Sequence, residues 1–145
     1  KYKNHPEIGV MLGKVYGTRL YEVGFSSEFD LILPVPLHES RKRKRGYNQS
    51  AKFAEGLSHS MQIPWDDSIA ERKIRTATQT RKTKSERWEN VKDVFQIAHP
   101  EKIINKRILL VDDVITTGAT LEACGQQLLN YGCSELSIAC IAEAQ

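Results

Sequence analysis

Two adjacent carboxylates, Asp112 and Asp113, follow a run of four apolar residues, Ile108-Leu109-Leu110-Val111. They open onto a stretch rich in hydroxyls, which ends in Thr116, Thr117, Gly118, Ala119 and Thr120. A continuous apolar run bounded by polar residues suits a central parallel strand covered on both faces. Apolar residues at helical spacing then begin at Leu121, so the hydroxyl-rich turn lies where a strand hands over to a helix. In open α/β sheets, ligands bind beyond the carboxyl ends of the strands. Backbone N–H groups at a helix N-terminus carry partial positive charge and favour an anion. The Thr hydroxyls add donors, and Gly118 allows close approach or positive φ. A phosphate monoester fits such a cup. Carboxylates repel phosphate, so Asp112 and Asp113 must serve something else. They can accept hydrogen bonds from the two hydroxyls of a ribose, or reach a metal through water. A phosphate cup one side chain away from a diol acceptor describes a ribose 5-phosphate. A lone Asp or Thr here would read as an ordinary N-cap. It is the order of residues 108–120 that points to chemistry. No GxxxxGK[ST] and no GxGxxG occurs, which sets aside the P-loop and the dinucleotide fingerprint.

A second source of chemistry is basic. Arg41, Lys42, Arg43, Lys44 and Arg45 form one run, and Arg72, Lys73, Arg75, Arg81, Lys82, Lys84 and Arg87 a looser stretch. Such runs are usually solvated faces. In this setting they also suit a polyanion, either nucleic acid or a small molecule bearing pyrophosphate. Only Tyr47 and Trp88 interleave with them, and stacking platforms normally supply much of single-strand binding. The formal net charge is +3, a mild excess. Cys124, Cys133 and Cys140 are an odd number with no CxxC pair, so they read as small buried apolar residues rather than a disulfide framework.

The elements that must position these groups follow from periodicity. The 145 residues fit one domain, 1–145, with one core. A content of 40% hydrophobic and 27% charged residues is that of a soluble globular chain. No apolar run approaches the ~20 residues of a membrane span. No signal peptide is seen, so the expected location is the cytoplasm. Asn4 and Glu7 have capping-box spacing, and Ile8, Met11, Leu12, Val15 and Tyr16 then share one face of a first helix. Leu31-Ile32-Leu33 predicts a buried strand stopped by Pro34 and Pro36. A loop carrying the basic run and Gly46 is expected next. A helix should start near Asn48 or Ser50, with Ala51, Ala54, Leu57 and Met61 facing inward. Short strands are expected near 68–72 and at Val94, Phe95 and Ile97, separated by an exposed loop over 76–89. After the strand at 108–111, Leu121, Cys124, Leu128 and Tyr131 mark a helix stopped by Gly132, and 136–142 a last strand. This βα alternation implies an α/β domain with a mostly parallel sheet.

Residues 108–120 resemble the phosphoribosyl pyrophosphate (PRPP) binding motif of the type I phosphoribosyltransferases. Leu33-Pro34-Val35-Pro36-Leu37-His38 and Arg45-Gly46-Tyr47-Asn48-Gln49 resemble the competence-associated ComF family. So do Thr78-Gln79-Thr80 and the later Glu86, Arg87 and Asn90. The resemblance runs from about Ile8 to Ala142. It implies the type I phosphoribosyltransferase fold, a mostly parallel central sheet flanked by helices with a flexible hood loop. It implies that Asp112 and Asp113 hold the ribose 2- and 3-hydroxyls as the catalytic acids, with Mg²⁺ reached through water or those hydroxyls. Thr116, Thr117, Gly118, Ala119 and Thr120 would hold the 5-phosphate. Leu37, His38, Glu39, Ser40 and Arg41 would form the pyrophosphate loop, a guanidinium being well suited to phosphate oxygens. Arg81, Lys82, Lys84 and Arg87 of the hood loop would neutralise the leaving pyrophosphate. The implied activity is transfer of a phosphoribosyl group from PRPP to an unnamed nitrogen acceptor, in nucleotide or nucleoside metabolism or DNA uptake. Thr116 stands where members acting on 6-oxopurines place a carboxylate, which argues against that specificity. Family members carry a cysteine-rich, zinc-binding N-terminal segment, and no such cysteines occur here. Proteins of this fold often dimerise. The alternative expectation is a domain that binds PRPP, a nucleotide or single-stranded DNA without catalysis.

Overall fold

The computed structural model describes residues 5–72 and 94–144, leaving aside the side chains of Ser40 and Arg41. In chain order the elements are α1 (Pro6–Glu22), β1 (Leu31–Pro34), α2 (Glu39–Arg45), α3 (Gln49–Met61), β2 (Ala70–Arg72), β3 (Phe95–Ile97), β4 (Arg107–Ile115), α4 (Ala119–Asn130) and β5 (Glu135–Glu143). The apolar run at 108–111 does form the central strand. β4 pairs in parallel with β1 on one side and β5 on the other. The register sets Pro34 opposite Val111 and Asp112 opposite Cys140. β2 and β3 make a separate antiparallel pair. Among the described residues, no helix is long and apolar enough to cross a membrane.

Strand alternation splits the core in two. Leu31, Leu33, Ile108 and Leu110 pack with Leu121, Cys124 and Leu128 of α4 and with Ile69, Phe95 and Ile97. Ile32, Leu109 and Val111 point the other way, onto Phe53, Ala54, Leu57 and Met61 of α3. Every β4 residue from Ile108 to Val111 is buried, as a strand covered on both faces requires. Truncating a fully buried leucine such as Leu110 to Ala would cost ~2–5 kcal/mol, the lost transfer term plus the cavity. At the opposite end of the sheet, Arg107 donates to both carboxylate oxygens of Asp30 and to the Ser27 carbonyl, fastening β4 to the approach to β1. That guanidinium holds the Asp30 carboxyl down at about 2.

One sequence expectation is corrected, and α1 packs by a contact that side-chain periodicity does not describe. The apolar face of α1 does not face the core. Met11 is 58% exposed and Val15 57% exposed, and the buried positions are Gly13 and Gly17. The reason is close backbone packing. A Cβ built on Gly13 would lie 2.3 Å from the Phe53 carbonyl oxygen, and one on Gly56 would meet the Val10 carbonyl. Only residues without a Cβ let α1 and α3 approach this closely, and Tyr16 then lies edge-on to Phe53 with ring centroids 5.8 Å apart. Asn4 of the expected capping box lies outside the described residues. Glu7 instead pairs with His5 at 2.7 Å. The correction concerns the basic run, which is not loop but helix α2. Lys42 N–H donates to the His38 carbonyl at 2.9 Å, and Gly46 N–H to the Lys42 carbonyl at 2.8 Å. Lys and Arg are good helix formers, and cations late in a helix suit its dipole. Gly46, at φ 82°, ends it. The expected loop at 76–89 lies outside the described residues.

Candidate functional site

The carboxylates stand near the C-terminal end of β4, beyond its buried segment. Asp112 Oδ1 accepts from Ser50 Oγ at 2.6 Å and from Asp113 N–H at 2.9 Å. Asp113 Oδ1 accepts from Val114 N–H at 2.8 Å. Burial raises the Asp112 carboxyl above the ordinary range. The Asp113 charge pushes the same way, while the bonds from Ser50 and from the Asp113 amide oppose it. The field of this carboxylate reaches beneath the strand. Burial pushes the Cys124 thiol up to about 12, and the Asp112 charge adds to the effect. Cys140, opposite Asp112 on β5, is raised for the same two reasons.

The strand then turns. Thr116 and Thr117 are exposed, and Gly118 sits at φ 77°, a left-handed conformation that glycine adopts without strain. α4 begins at Ala119, whose N–H donates to Thr117 Oγ1 at 3.4 Å. Its first backbone bond runs from Glu122 N–H to the Gly118 carbonyl at 2.9 Å. Residues 116–120 thus make the strand-to-helix turn that the sequence suggests, beside the two carboxylates.

The loop after β1 reaches the same edge, because β1 and β4 are parallel neighbours. Val35 N–H donates to the Val111 carbonyl at 2.9 Å, one residue before Asp112. Leu37 and His38 follow half-buried, and Glu39 is exposed. Ser40 and Arg41 lie in α2, and their side chains are outside the description. Lys42, Arg43, Lys44 and Arg45 are exposed, with Arg45 donating to Gln49 Oε1 at 3.0 Å. Arg81, Lys82, Lys84 and Arg87 lie outside the described residues. The geometry therefore gathers the acid pair, the hydroxyl turn and the start of the loop at 35–38, all at one end of the sheet.

Sequence reasoning missed Asn48 and Ser50 as parts of this edge. Asn48 Oδ1 accepts from Ser50 N–H at 3.2 Å and caps α3, while its Nδ2 donates to the Val35 carbonyl at 3.0 Å. Ser50 is only 4% exposed. The signal was present as Asn-x-Ser at a helix start, but that spacing reads first as a cap. Nothing local says that the serine hydroxyl reaches a carboxylate 62 residues away. Among the described residues, no group of three His, Cys, Asp or Glu could hold a metal. Two adjacent carboxylates fit a hard cation that takes its remaining oxygens from water and phosphate.

The family described as Phosphoribosyl transferase domain matches residues 23–145. The chain belongs to the phosphoribosyl transferase domain family. Competence protein F of Haemophilus influenzae is 36% identical over 116 residues, covering 79% of this chain and 51% of that protein. DNA utilization protein YhgH of Escherichia coli K12 is 34% identical over 112 residues, covering 77% and 48%. Competence protein ComFC of Bacillus subtilis is 29% identical over 120 residues, covering 77% and 47%. The chain thus spans about half the length of these curated relatives. Solved structures agree on the fold. Adenine phosphoribosyltransferase of Saccharomyces cerevisiae superposes with a TM-score of 0.60 at 17% identity, over 96% of this chain and 70% of that one. Glutamine PRPP amidotransferase of B. subtilis gives 0.62 at 20% identity, over 90% and 26%. The architecture is the type I phosphoribosyltransferase fold.

Proposed function

We propose that this domain binds PRPP with Mg²⁺ and transfers the phosphoribosyl group to a nitrogen acceptor. The observation that carries the reading is the placement of Asp112 and Asp113 beside the Gly118 turn at the N-terminus of α4. The carboxylates accept the ribose hydroxyls, and the N–H groups and hydroxyls of residues 116–120 take the 5-phosphate. Residues 37–41 take the pyrophosphate, and the charges of Arg81, Lys82, Lys84 and Arg87 would neutralise it as it leaves. In the reaction, the acceptor nitrogen forms a bond to the anomeric carbon and gives up a proton. The bond from that carbon to pyrophosphate breaks, and its electron pair leaves with pyrophosphate. Asp112 and Asp113 would hold Mg²⁺ through water or the ribose hydroxyls, and the ion would supply charge stabilisation to the leaving group. The chain's own share is positioning and preorganised charge.

The test is calorimetric titration of PRPP with and without Mg²⁺, on the wild-type chain and on Asp113→Asn. The reading expects saturable, Mg²⁺-dependent binding that the variant weakens by at least about tenfold, the equivalent of one charge-assisted hydrogen bond. No binding by the wild-type chain sinks it. A second reading is favoured by the four exposed cations of α2 and by the names of the relatives: a domain that binds single-stranded DNA. Steep salt dependence with no competition from PRPP would select it.

A further inference from the structure

We infer that Ser50 is a positioning residue for Asp112 and that Asn48 couples it to the loop after β1. This rests on the PRPP-binding reading proposed above. Asp112 has two carboxylate oxygens, and both bonds described to its side chain land on Oδ1. The Ser50 contact, at 2.6 Å, is short and charge-assisted. Oδ1 is thereby committed to the protein, which leaves Oδ2 for a ligand hydroxyl. Without Ser50 the half-buried carboxylate keeps only the adjacent Asp113 amide and can rotate about its Cβ–Cγ bond. The serine in turn is fixed at its backbone. Its N–H donates to Asn48 Oδ1, and the other end of the Asn48 amide donates to the Val35 carbonyl. Val35 is the residue before Pro36 and Leu37, where the loop assigned to pyrophosphate begins. One short segment, 48–50, therefore ties the pyrophosphate loop to the ribose acid across three elements. Ser50 is also the one polar residue in the buried set among the described residues. A hydroxyl kept in such a place, with its bond aimed at the candidate site, is a device for orientation rather than for packing.

The ligands separate this role from a structural one. Ser50→Ala is expected to weaken PRPP binding by about tenfold or more, the cost of losing a hydrogen bond to a charged group. Binding of inorganic pyrophosphate, which has no ribose, should change by less than about twofold, because the Asn48 bridge remains. Ser50→Thr, which keeps the hydroxyl, should restore PRPP binding to within about threefold of wild type. In an Asp112→Asn background, Ser50→Ala should add little, since the two residues act through one bond. The inference is overturned if Ser50→Ala binds PRPP like wild type, or loses PRPP and pyrophosphate equally. It is overturned too if the two single losses multiply in the double variant. A wild-type chain that fails to bind PRPP overturns the earlier reading, and this one with it.

Discussion

Replacing Gly13 with Ala tests the packing of α1 directly. The new Cβ would lie 2.3 Å from the Phe53 carbonyl oxygen, 2.8 Å from Gly56 Cα and 2.9 Å from Leu57 N. All three are backbone atoms of α3, so no side-chain rotation relieves the contact. Ordinary van der Waals contact begins near 3.4 Å, so the two helices must separate by about 1 Å. Overpacking of this kind costs ~1–3 kcal/mol, and a backbone clash belongs at the upper end. Against it stands the helix propensity of Ala over Gly, worth ~1 kcal/mol. The net expectation is a loss of about 2 kcal/mol, a fall in Tm of about 4–8 °C for a domain of this size. Val15→Ala on the opposite face should stay within about 0.5 kcal/mol. Urea unfolding followed by far-UV circular dichroism reads both. If the apolar side chains rather than the glycines made the contact, the signs would reverse. Gly13→Ala would stabilise by ~1 kcal/mol and Val15→Ala would destabilise. That reversal would refute the packing described for α1.

Three further outcomes are expected. Gly118→Ala meets nothing nearer than Ile115 Cδ1 at 3.9 Å but must hold a left-handed φ of 77°, so it should cost ~1 kcal/mol of stability in urea unfolding. It should also depress PRPP affinity through the shape of the turn. Arg107→Ala removes the partner that holds Asp30 at about 2 rather than 3.8. Because a depressed carboxylate stabilises above its unfolded value, wild type should exceed the variant near neutral pH. The gap should narrow as pH falls from about 4 toward about 2, and a gap constant across that window in acid titration would contradict it. In thiol labelling of the native chain at pH 8, Cys140, which is half-buried, should react first and Cys124, held at about 12, last. All three should label in denaturant, and prompt native labelling of Cys124 would contradict its burial.

Much of the fold was legible because it is written in side chains. The run at 108–111, the period of Leu121, Cys124 and Leu128, and the inward face of α3 each match a contact in the core. The strand-to-helix turn at 116–120 was legible for a different reason, since glycine and hydroxyl residues mark such turns locally. The packing of α1 was not legible because periodicity counts apolar side chains, whereas this contact is made by their absence at Gly13, Gly17 and Gly56. α2 was read as loop because charge suggested solvent exposure, which is right, and exposure suggested no helix, which does not follow. Ser50 was invisible as a site residue because its partner is brought to it only by the parallel pairing of distant strands and the seating of α3 on them.

The glycine contact has a consequence for the precision of the site. α3 carries Ser50 near its first turn and Gly56 six residues on, about 9 Å along the axis at 1.5 Å per residue. Where backbone rests on backbone, as at Gly13 and Gly56, no rotamer is there to take up slack. α3 is therefore seated directly on the backbone of α1, and its leading end carries the hydroxyl that meets Asp112 at 2.6 Å. A methyl group at Gly13 would shift that seat by more than such a bond can stretch. The accuracy of a carboxylate on β4 is thus inherited, through α3, from the bare surface of the helix packed behind it.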